Sequence, residues 1–290
     1  MIRLRGNHAP RARPERSRLA ARRATLAVLV DRPLAGPLPS SPRSLVVIPT
    51  YNERGSIDQL LLEVRRLVDV DILVIDDNSP DGTADAVAAV QAGDPAIHLL
   101  VRPRRLGLAS AYITGFGHAM HHGYDLVFEM DADLSHSPRY IPLFLQKMRE
   151  ADLVVGSRYV PGGDIMDWNW LQHLIGWCGN LYARTILGSD LRDLTSGFKC
   201  FRVAALQRFD LSSVTSDGYC FQIEMSHLFA RNGFRVVEIP IVFEERRAGQ
   251  SKMSWHIVFE ALAKVWLLRF GFSSATLRPS PDDAARPLRH

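Results

Sequence analysis

LVFEMDADLSHSP, residues 126–138, is the stretch on which the fold turns. It begins as a short, mostly apolar run, Leu126 to Met130, and breaks at once into Asp131, Ala132 and Asp133. Runs of the same kind recur at Leu45–Ile48, Ile72–Ile75, Ile97–Val101 and Leu153–Val155. Each is bounded by turn residues, the signature of a strand buried on both faces. Between the runs the period changes. Ile57, Leu60, Leu61, Val64, Leu67 and Val68 recur at helical spacing, and Thr83–Val90, Ala109–His121 and Arg139–Met148 follow. Strand and helix in alternation predict an α/β domain with a mostly parallel sheet.

Such sheets bind ligands at the carboxyl ends of their strands. Here those ends are polar: Pro49, Thr50, Tyr51, Asn52 and Glu53 after the first run, Asp76, Asp77, Asn78 and Ser79 after the second. Asp131–Asp133 follow the fourth and Gly156, Ser157 and Arg158 the fifth. Carboxylates gathered at three strand ends repel unless something positive stands between them, and a hydrated metal ion is the economical solution. Alternation along a strand sends Asp131 and Asp133 to one side, where hard oxygen ligands suit Mg²⁺ or Mn²⁺ bridging a pyrophosphate. Two readings of the pair stand side by side, metal binding or capping of the next helix, for which Ser135, Ser137 and Pro138 are also suited.

Composition narrows the rest. The chain has 290 residues, 47% hydrophobic, with a formal net charge of +4. Residues 1–43 hold ten arginines against Glu15 and Asp31, so the excess positive charge sits in an Arg- and Pro-rich tail, expected to be disordered. The body is net acidic with scattered basic residues, which argues against nucleic-acid binding. Cys178, Cys200 and Cys220 form no CxxC pair and read as reduced, packed thiols of a cytosolic protein. No apolar stretch approaches the roughly 20 residues of a membrane span, because Trp255–Phe272 is interrupted by Glu260, Lys264 and Arg269. After Arg158 come Trp-rich longer helices, a hairpin-like segment at Phe234–Phe243 and a last helix from Trp255 to about Phe270. Residues 273–290 read as a second disordered tail.

Several enzyme classes drop out. There is no GxxxxGK[ST] loop and no GxSxG elbow. Gly115-Phe-Gly-His118 neither follows a strand nor reaches a third glycine. His118, His121 and His122 share a helix face without a nearby carboxylate or Cys partner, and read as a solvated surface.

Seven ordered segments resemble the family-2 glycosyltransferases, and within them the polyprenol-phosphate (dolichol-phosphate) mannosyltransferases. They are IPTYNE (48–53), DDNSPDGT (76–83), RPRRLGLASAY (102–112), DADLSHSP (131–138), GSRYVPGG (156–163), DLTSGFKCFR (193–202) and RRAGQSKMSW (246–255). The resemblance implies a GT-A-like, Rossmann-type sheet flanked by helices, in one catalytic domain over residues 44–272. It implies guanosine contacts from Pro49, Tyr51, Glu53, Ile75 and Asp77, and diphosphate binding through a divalent metal at Asp131, Ala132 and Asp133. Arg158, Arg246 and Lys252 match basic positions that contact donor diphosphate or acceptor phosphate, as guanidinium forks and ammonium charges do. Two departures are visible. Ser135 stands where many relatives carry Gln, and Gly176-Trp-Cys-Gly179 precedes Asn180 where relatives often carry a basic residue.

The implied reaction is transfer of mannose from GDP-mannose to a polyprenyl phosphate, with inversion. Rivals are the same chemistry with UDP-glucose, or an idle nucleotide-sugar-binding subunit. A phosphate monoester with a second pKa of about 6 is largely a dianion near neutrality and needs no general base, in keeping with the lack of an obvious His or Glu for that role. A lipid acceptor demands peripheral contact with the cytoplasmic membrane face, directly or through a membrane-anchoring protein partner. Trp168, Trp170, Leu171, Leu174, Ile175 and Trp177, and separately Trp255, Val258, Phe259, Leu262, Val265 and Trp266, read either as interfacial helix faces or as core.

Overall fold

The computed structural model describes residues 36–166, 169–214, 216–244 and 255–270, with side chains in the last segment from residue 262. Strands β1 (Ser44–Thr50), β2 (Asp71–Asp76), β3 (Ile97–Val101), β4 (Leu126–Glu129) and β5 (Leu153–Ser157) occupy the five apolar runs. Between them lie α1 (Ile57–Leu67), α2 (Thr83–Gln91), α3 (Leu108–His121) and α4 (Ile141–Lys147), the last preceded by a 3₁₀ turn, Pro138–Tyr140. The second half adds β6 (Asp164–Ile165), α5 (Trp170–Leu187), β7 (Lys199–Arg202), α6 (Val203–Leu206), α7 (Gly218–Arg231), β8 (Val236–Pro240), β9 (Val242–Phe243) and α8 (Trp255–Arg269).

The seven-stranded sheet has the order β3-β2-β1-β4-β7-β5-β8, parallel except for β7, which pairs antiparallel with both neighbours. The chain winds outward from β1 to β3, then crosses to β4 on the other side of β1. The crevice between the carboxyl ends of β1 and β4 is therefore a topological switch point, where such sheets take their ligands. Side-chain alternation builds a core on each face: Val46 and Ile48 pack with α1, α2 and α4, whereas Leu45 and Val47 pack with Tyr112 and Phe116 of α3 and Phe221 of α7. A third cluster joins Ala183 and Leu187 of α5 to Ile223 of α7 and Val265 and Leu268 of α8.

Gly115, rejected above as a phosphate-loop glycine, has a packing role instead. A Cβ there would lie 2.5 Å from Cγ1 and 2.6 Å from Cγ2 of Val47, so the missing side chain lets α3 lie directly on β1. Gly115→Ala should lose about 1–2 kcal/mol, overpacking of ~1–3 kcal/mol being partly offset by better helix propensity. Thermal unfolding checks this; an unchanged or raised Tm would contradict it.

Three expectations are corrected. The segment 234–243 is not a hairpin: β8 runs parallel to β5 at the sheet edge, and β9 pairs parallel with β6. The tail reading also extends too far, because Gly36–Arg43 is tied to the body. The Gly36 carbonyl accepts from Arg202 Nη1 at 2.9 Å, and the Arg43 N–H donates to Asp125 at 2.8 Å. Lastly, Cys200 and Cys220 are buried thiols, but Cys178 is exposed. His118, half-buried, stacks on exposed His122 at 4.0 Å. Residues 1–35 and 271–290 lie outside the described segments.

On α7, buried His227 has its pKa lowered to about 4, by burial first and then by Arg231 and Arg269. Between that value and the ordinary 6.5 the unfolded chain binds more protons, so stability falls as pH drops through this window. His227→Gln should remove up to about 2–3 kcal/mol of that loss between pH 7 and pH 4. Urea denaturation of both proteins at the two pH values measures it; parallel pH slopes would contradict it.

Candidate active site

The carboxyl edge of the sheet is held by cross-ties between strand ends. Buried Asp76 accepts from Thr50 Oγ1 at 2.9 Å, from the Ser79 N–H at 2.8 Å and from Ser79 Oγ at 2.6 Å. Ser79 Oγ in turn accepts from the Asn52 N–H at 3.0 Å, and the Glu53 N–H donates to Thr83 Oγ1 at 3.0 Å. Asn52, Asn78 and Leu134 have φ of 64°, 58° and 67° and follow β1, β2 and β4. Asparagine tolerates the left-handed region; leucine there costs of order 1–2 kcal/mol, the kind of strain that gathers at functional sites.

Asp77 is not an open acceptor. Its carboxylate accepts from Arg102 Nε and from the backbone N–H groups of Leu106 and Gly107 at 3.0 and 3.3 Å, which fixes the loop after β3. Arg102, which sequence reasoning did not single out, supplies the positive charge that the β2 end requires. At the β2 end a protein cation, not a metal, thus meets the carboxylate counted above among three repelling strand ends. From the same loop Arg105 lies over the Tyr51 ring at 4.5 Å. Ile75 is fully buried in the core shared with α3, so its side chain is closed off from a ligand and the expected guanosine contact from it is not one its side chain can make. Pro49 and Glu53 are half-buried at the β1 end.

Asp131 and Asp133 differ in setting. Asp131 is partly exposed; its Oδ1 accepts from Tyr112 Oη at 3.2 Å, and Oδ2 stands 3.8 Å from His136 Nδ1. Burial, then the charge of Asp131, raises the Tyr112 pKa well above its ordinary value, so the hydroxyl stays a donor. His136 Nδ1 accepts from the Asp131 N–H at 3.1 Å, and its ring stacks on Phe198. Asp133 is buried, and its Oδ1 accepts from both the N–H and Oγ of Ser135, at 3.1 and 2.5 Å. Ser135 thus braces Asp133. This accounts for Ser135 without the helix-capping reading, and Ser137 makes no side-chain cap to the 3₁₀ turn.

Behind the pair, Lys199 of β7 faces Glu129 across the strands at 4.0 Å, both fully buried. The ammonium donates to Gln222, and neither Glu129 oxygen has a hydrogen bond of normal geometry. Burial, opposed by its partner, lifts Glu129 to about 7 and lowers Lys199 to about 8. Arg158, following β5, grips buried Asp193 through Nε and Nη2, at 2.8 Å each, and Thr195 through Nη2 at 2.6 Å. Burial disfavours both charges, but the pairing outweighs it, holding the guanidinium above and the carboxyl below their ordinary pKa values. Arg158 is therefore an anchored charge whose Nη1 makes no hydrogen bond among the described residues. Arg246 and Lys252 lie outside the described residues.

The structure brings the ends of β1, β2, β4 and β5 to one edge, as the sequence suggested, and adds Tyr112, His136, Asp193 and Thr195. All four sit inside quoted motifs, but nothing in their spacing reveals what they touch.

A mostly parallel α/β sheet with a carboxylate pair at its switch point is the GT-A architecture of nucleotide-sugar-dependent glycosyltransferases. Residues 45–212 match the model of glycosyl transferase family 2, and the chain belongs to that family. It is 47% identical over 224 residues to the undecaprenyl-phosphate mannosyltransferase of Micrococcus luteus, covering 77% of this chain and 92% of that one. To the polyprenol monophosphomannose synthase of Mycolicibacterium smegmatis it is 43% identical over 232 residues, covering 78% and 88%. Among solved structures, the glucosyl-3-phosphoglycerate synthase of Mycobacterium tuberculosis with Mn²⁺, UDP and glucosyl-3-phosphoglycerate shares the fold, with a TM-score of 0.58 and 18% identity over 83% of this chain and 88% of that one. The mannosyltransferase PcManGT of Pyrobaculum calidifontis, in complex with GDP-Man and Mn²⁺, gives 0.53 at 20% identity, covering 88% and 70%.

Proposed function

We propose that this chain transfers mannose from GDP-mannose to a polyprenyl (dolichyl-type) phosphate, with inversion at the sugar carbon. The observation that carries the reading is the Asp131/Asp133 pair at the switch point, in a chain 47% and 43% identical to two lipid-phosphate mannosyltransferases. The donor set fits a hard divalent cation. Two carboxylates two residues apart after β4, with no group of three His, Cys, Asp or Glu side chains able to hold a metal among the described residues, suit Mg²⁺ or Mn²⁺ completed by substrate phosphates and water. No Lys or Arg pairs with Asp131 among the described residues. When bound, the ion offsets charge developing on the departing diphosphate.

The chain's own residues position and neutralise. Tyr112 and His136 orient Asp131, Ser135 orients Asp133, and Arg158 presents Nη1 to a phosphate oxygen. Tyr51 and Arg105 flank the base side, with Pro49, Glu53 and Asp77 shaping the β1–β2 end. Arg246 and Lys252 keep the phosphate-binding role that the resemblance implies. The acceptor dianion attacks without a general base.

Acceptor lipid requires a membrane surface. No helix among the described residues is long and apolar enough to cross one. Trp170, Leu171, Leu174, Ile175 and Trp177 of α5 and Trp266, Leu267 and Phe270 around the end of α8 are exposed, whereas Val265 is core, so the helix faces divide between the two expectations. Trp168 lies outside the described residues, as do the side chains of Trp255, Val258 and Phe259. The exposed faces suit peripheral docking at the cytoplasmic surface, alone or beside an anchoring protein.

The test is purified chain with GDP-mannose or UDP-glucose, a polyprenyl phosphate, and Mn²⁺, Mg²⁺ or chelator. The expected result is metal-dependent mannolipid from GDP-mannose with inverted anomeric configuration by NMR. Preference for UDP-glucose would overturn the donor, and GDP binding without turnover would favour an idle subunit.

A further inference from the structure

Connections between elements are ordinarily the least constrained parts of a fold. The loop joining α5 to β7 is tied at every step. From Arg192 to Thr195, four consecutive backbone N–H groups donate to side chains. Glu238 of β8 takes the first two, its Oε2 accepting from Arg192 at 2.7 Å and its Oε1 from Asp193 at 2.8 Å. Asn180 of α5 takes the third, its Oδ1 accepting from Leu194 at 3.0 Å while its Nδ2 donates back to the Arg192 carbonyl. The fourth, the Thr195 N–H, goes to the Asp193 carboxylate at 3.1 Å. Leu194 is itself fully buried in the cluster shared by α5, α7 and α8.

This loop presents Asp193 to Arg158, accepting from Nε and Nη2 at 2.8 Å each and from the Arg158 N–H at 3.1 Å. A guanidinium fork gripped at two nitrogens takes its plane from the carboxylate that holds it. That carboxylate in turn takes its place from the backbone of residues 192–195. The direction of Arg158 Nη1 is thus set two steps away, on α5 and β8. Asn180 is only 3% exposed, beside Ala183 and Leu187 on the buried face of α5. A buried amide costs free energy unless its polar ends are bonded, and both ends of this one are spent on the loop.

We infer that Asn180 and Glu238 are positioning residues for the phosphate chemistry: by clamping the Asp193 loop they hold the Arg158 guanidinium in one orientation before a diphosphate arrives. The inference rests on the proposed role of Arg158. It adds that preorganisation at this edge is built from α5 and β8, not from the strand that carries the arginine. A charge already in place needs no rearrangement when the ligand binds, so a loosened clamp keeps the cation but weakens its hold on phosphate.

The test compares GDP with guanosine, each displacing a fluorescent GDP analogue from the full chain in Mn²⁺. Glu238→Gln keeps the shape but turns an amide N–H toward a backbone N–H. It should weaken GDP by about three- to tenfold, the scale of one hydrogen bond, leave guanosine unchanged, and lower kcat/KM for GDP-mannose in parallel. Asn180→Asp, which sets an oxygen against the Arg192 carbonyl, should act alike. Repeating either change in Arg158→Met/Asp193→Leu completes a double-mutant cycle: without the guanidinium, the ratio of GDP to guanosine affinity should no longer respond. An unchanged ratio in the native background, or an equal loss with and without Arg158, overturns the inference and makes both residues supports of the fold alone, visible only in Tm. Should one single variant fail to fold, the other carries the cycle. A native chain that binds GDP but turns over no donor fails the functional reading, and the affinity ratios still decide the clamp; one that binds no GDP overturns both.

Discussion

Asp133→Ala is expected to lower kcat by about a hundredfold or more, the scale of losing one preorganised charge-stabilising group. Asp133 is only 6% exposed and braced by the N–H and hydroxyl of Ser135, so its carboxylate is set before any ligand arrives. On the proposed metal role, removing it leaves Asp131 to hold the cation, with no group of three His, Cys, Asp or Glu side chains among the described residues to replace it. The rate is to be measured with GDP-mannose and polyprenyl phosphate at saturating Mn²⁺, with Mn²⁺ affinity followed by electron paramagnetic resonance. Both should fall while Tm moves little, because Ser135 loses only a local acceptor. Near-native turnover at saturating metal would remove Asp133 from the site. Ser135→Ala should give a milder loss that appears first in Mn²⁺ affinity, since it frees the carboxylate without deleting it.

The second large effect is on stability. Asp193→Ala should cost about 3–5 kcal/mol, the usual result of stripping one partner from a buried ion pair. Asp193 is fully buried and accepts from Arg158 Nε, Nη2 and N–H and from Thr195, so deletion leaves a buried guanidinium whose one remaining hydrogen bond among the described residues is to Thr195. At roughly 2–4 °C per kcal/mol for a domain of this size, Tm should fall by about 10 °C. The double variant Arg158→Met/Asp193→Leu separates folding from chemistry. A hydrophobic pair of similar volume should recover most of the stability, while phosphate handling stays impaired because Nη1 is gone. A native-like Tm for Asp193→Ala would show that the pair contributes little; full activity in the double variant would remove Arg158 from the phosphate role.

Local sequence pattern decided the architecture. Five apolar runs broken by turn residues and separated by helical periods leave few alternatives to a parallel sheet, since a strand buried on both faces must be apolar throughout. The polar strand ends were equally readable, because ligand sites of such sheets fall where those runs stop. Tertiary structure alone decided which charges meet. β7 was invisible as a strand because half of its residues, Lys199 and Arg202, are cations that normally mark solvent. They are buried because Glu129 on β4 and Asp152 just before β5 face them, at 4.0 and 3.3 Å, and because Gln222 and the carbonyls of Gly36, Met148 and Ala151 accept their remaining protons. Asp77 and Arg102, Arg158 and Asp193, and Tyr112 and Asp131 are likewise 25, 35 and 19 residues apart. A residue's type records its charge, but its partner is set by strand order and register, which bring together groups that no local pattern relates.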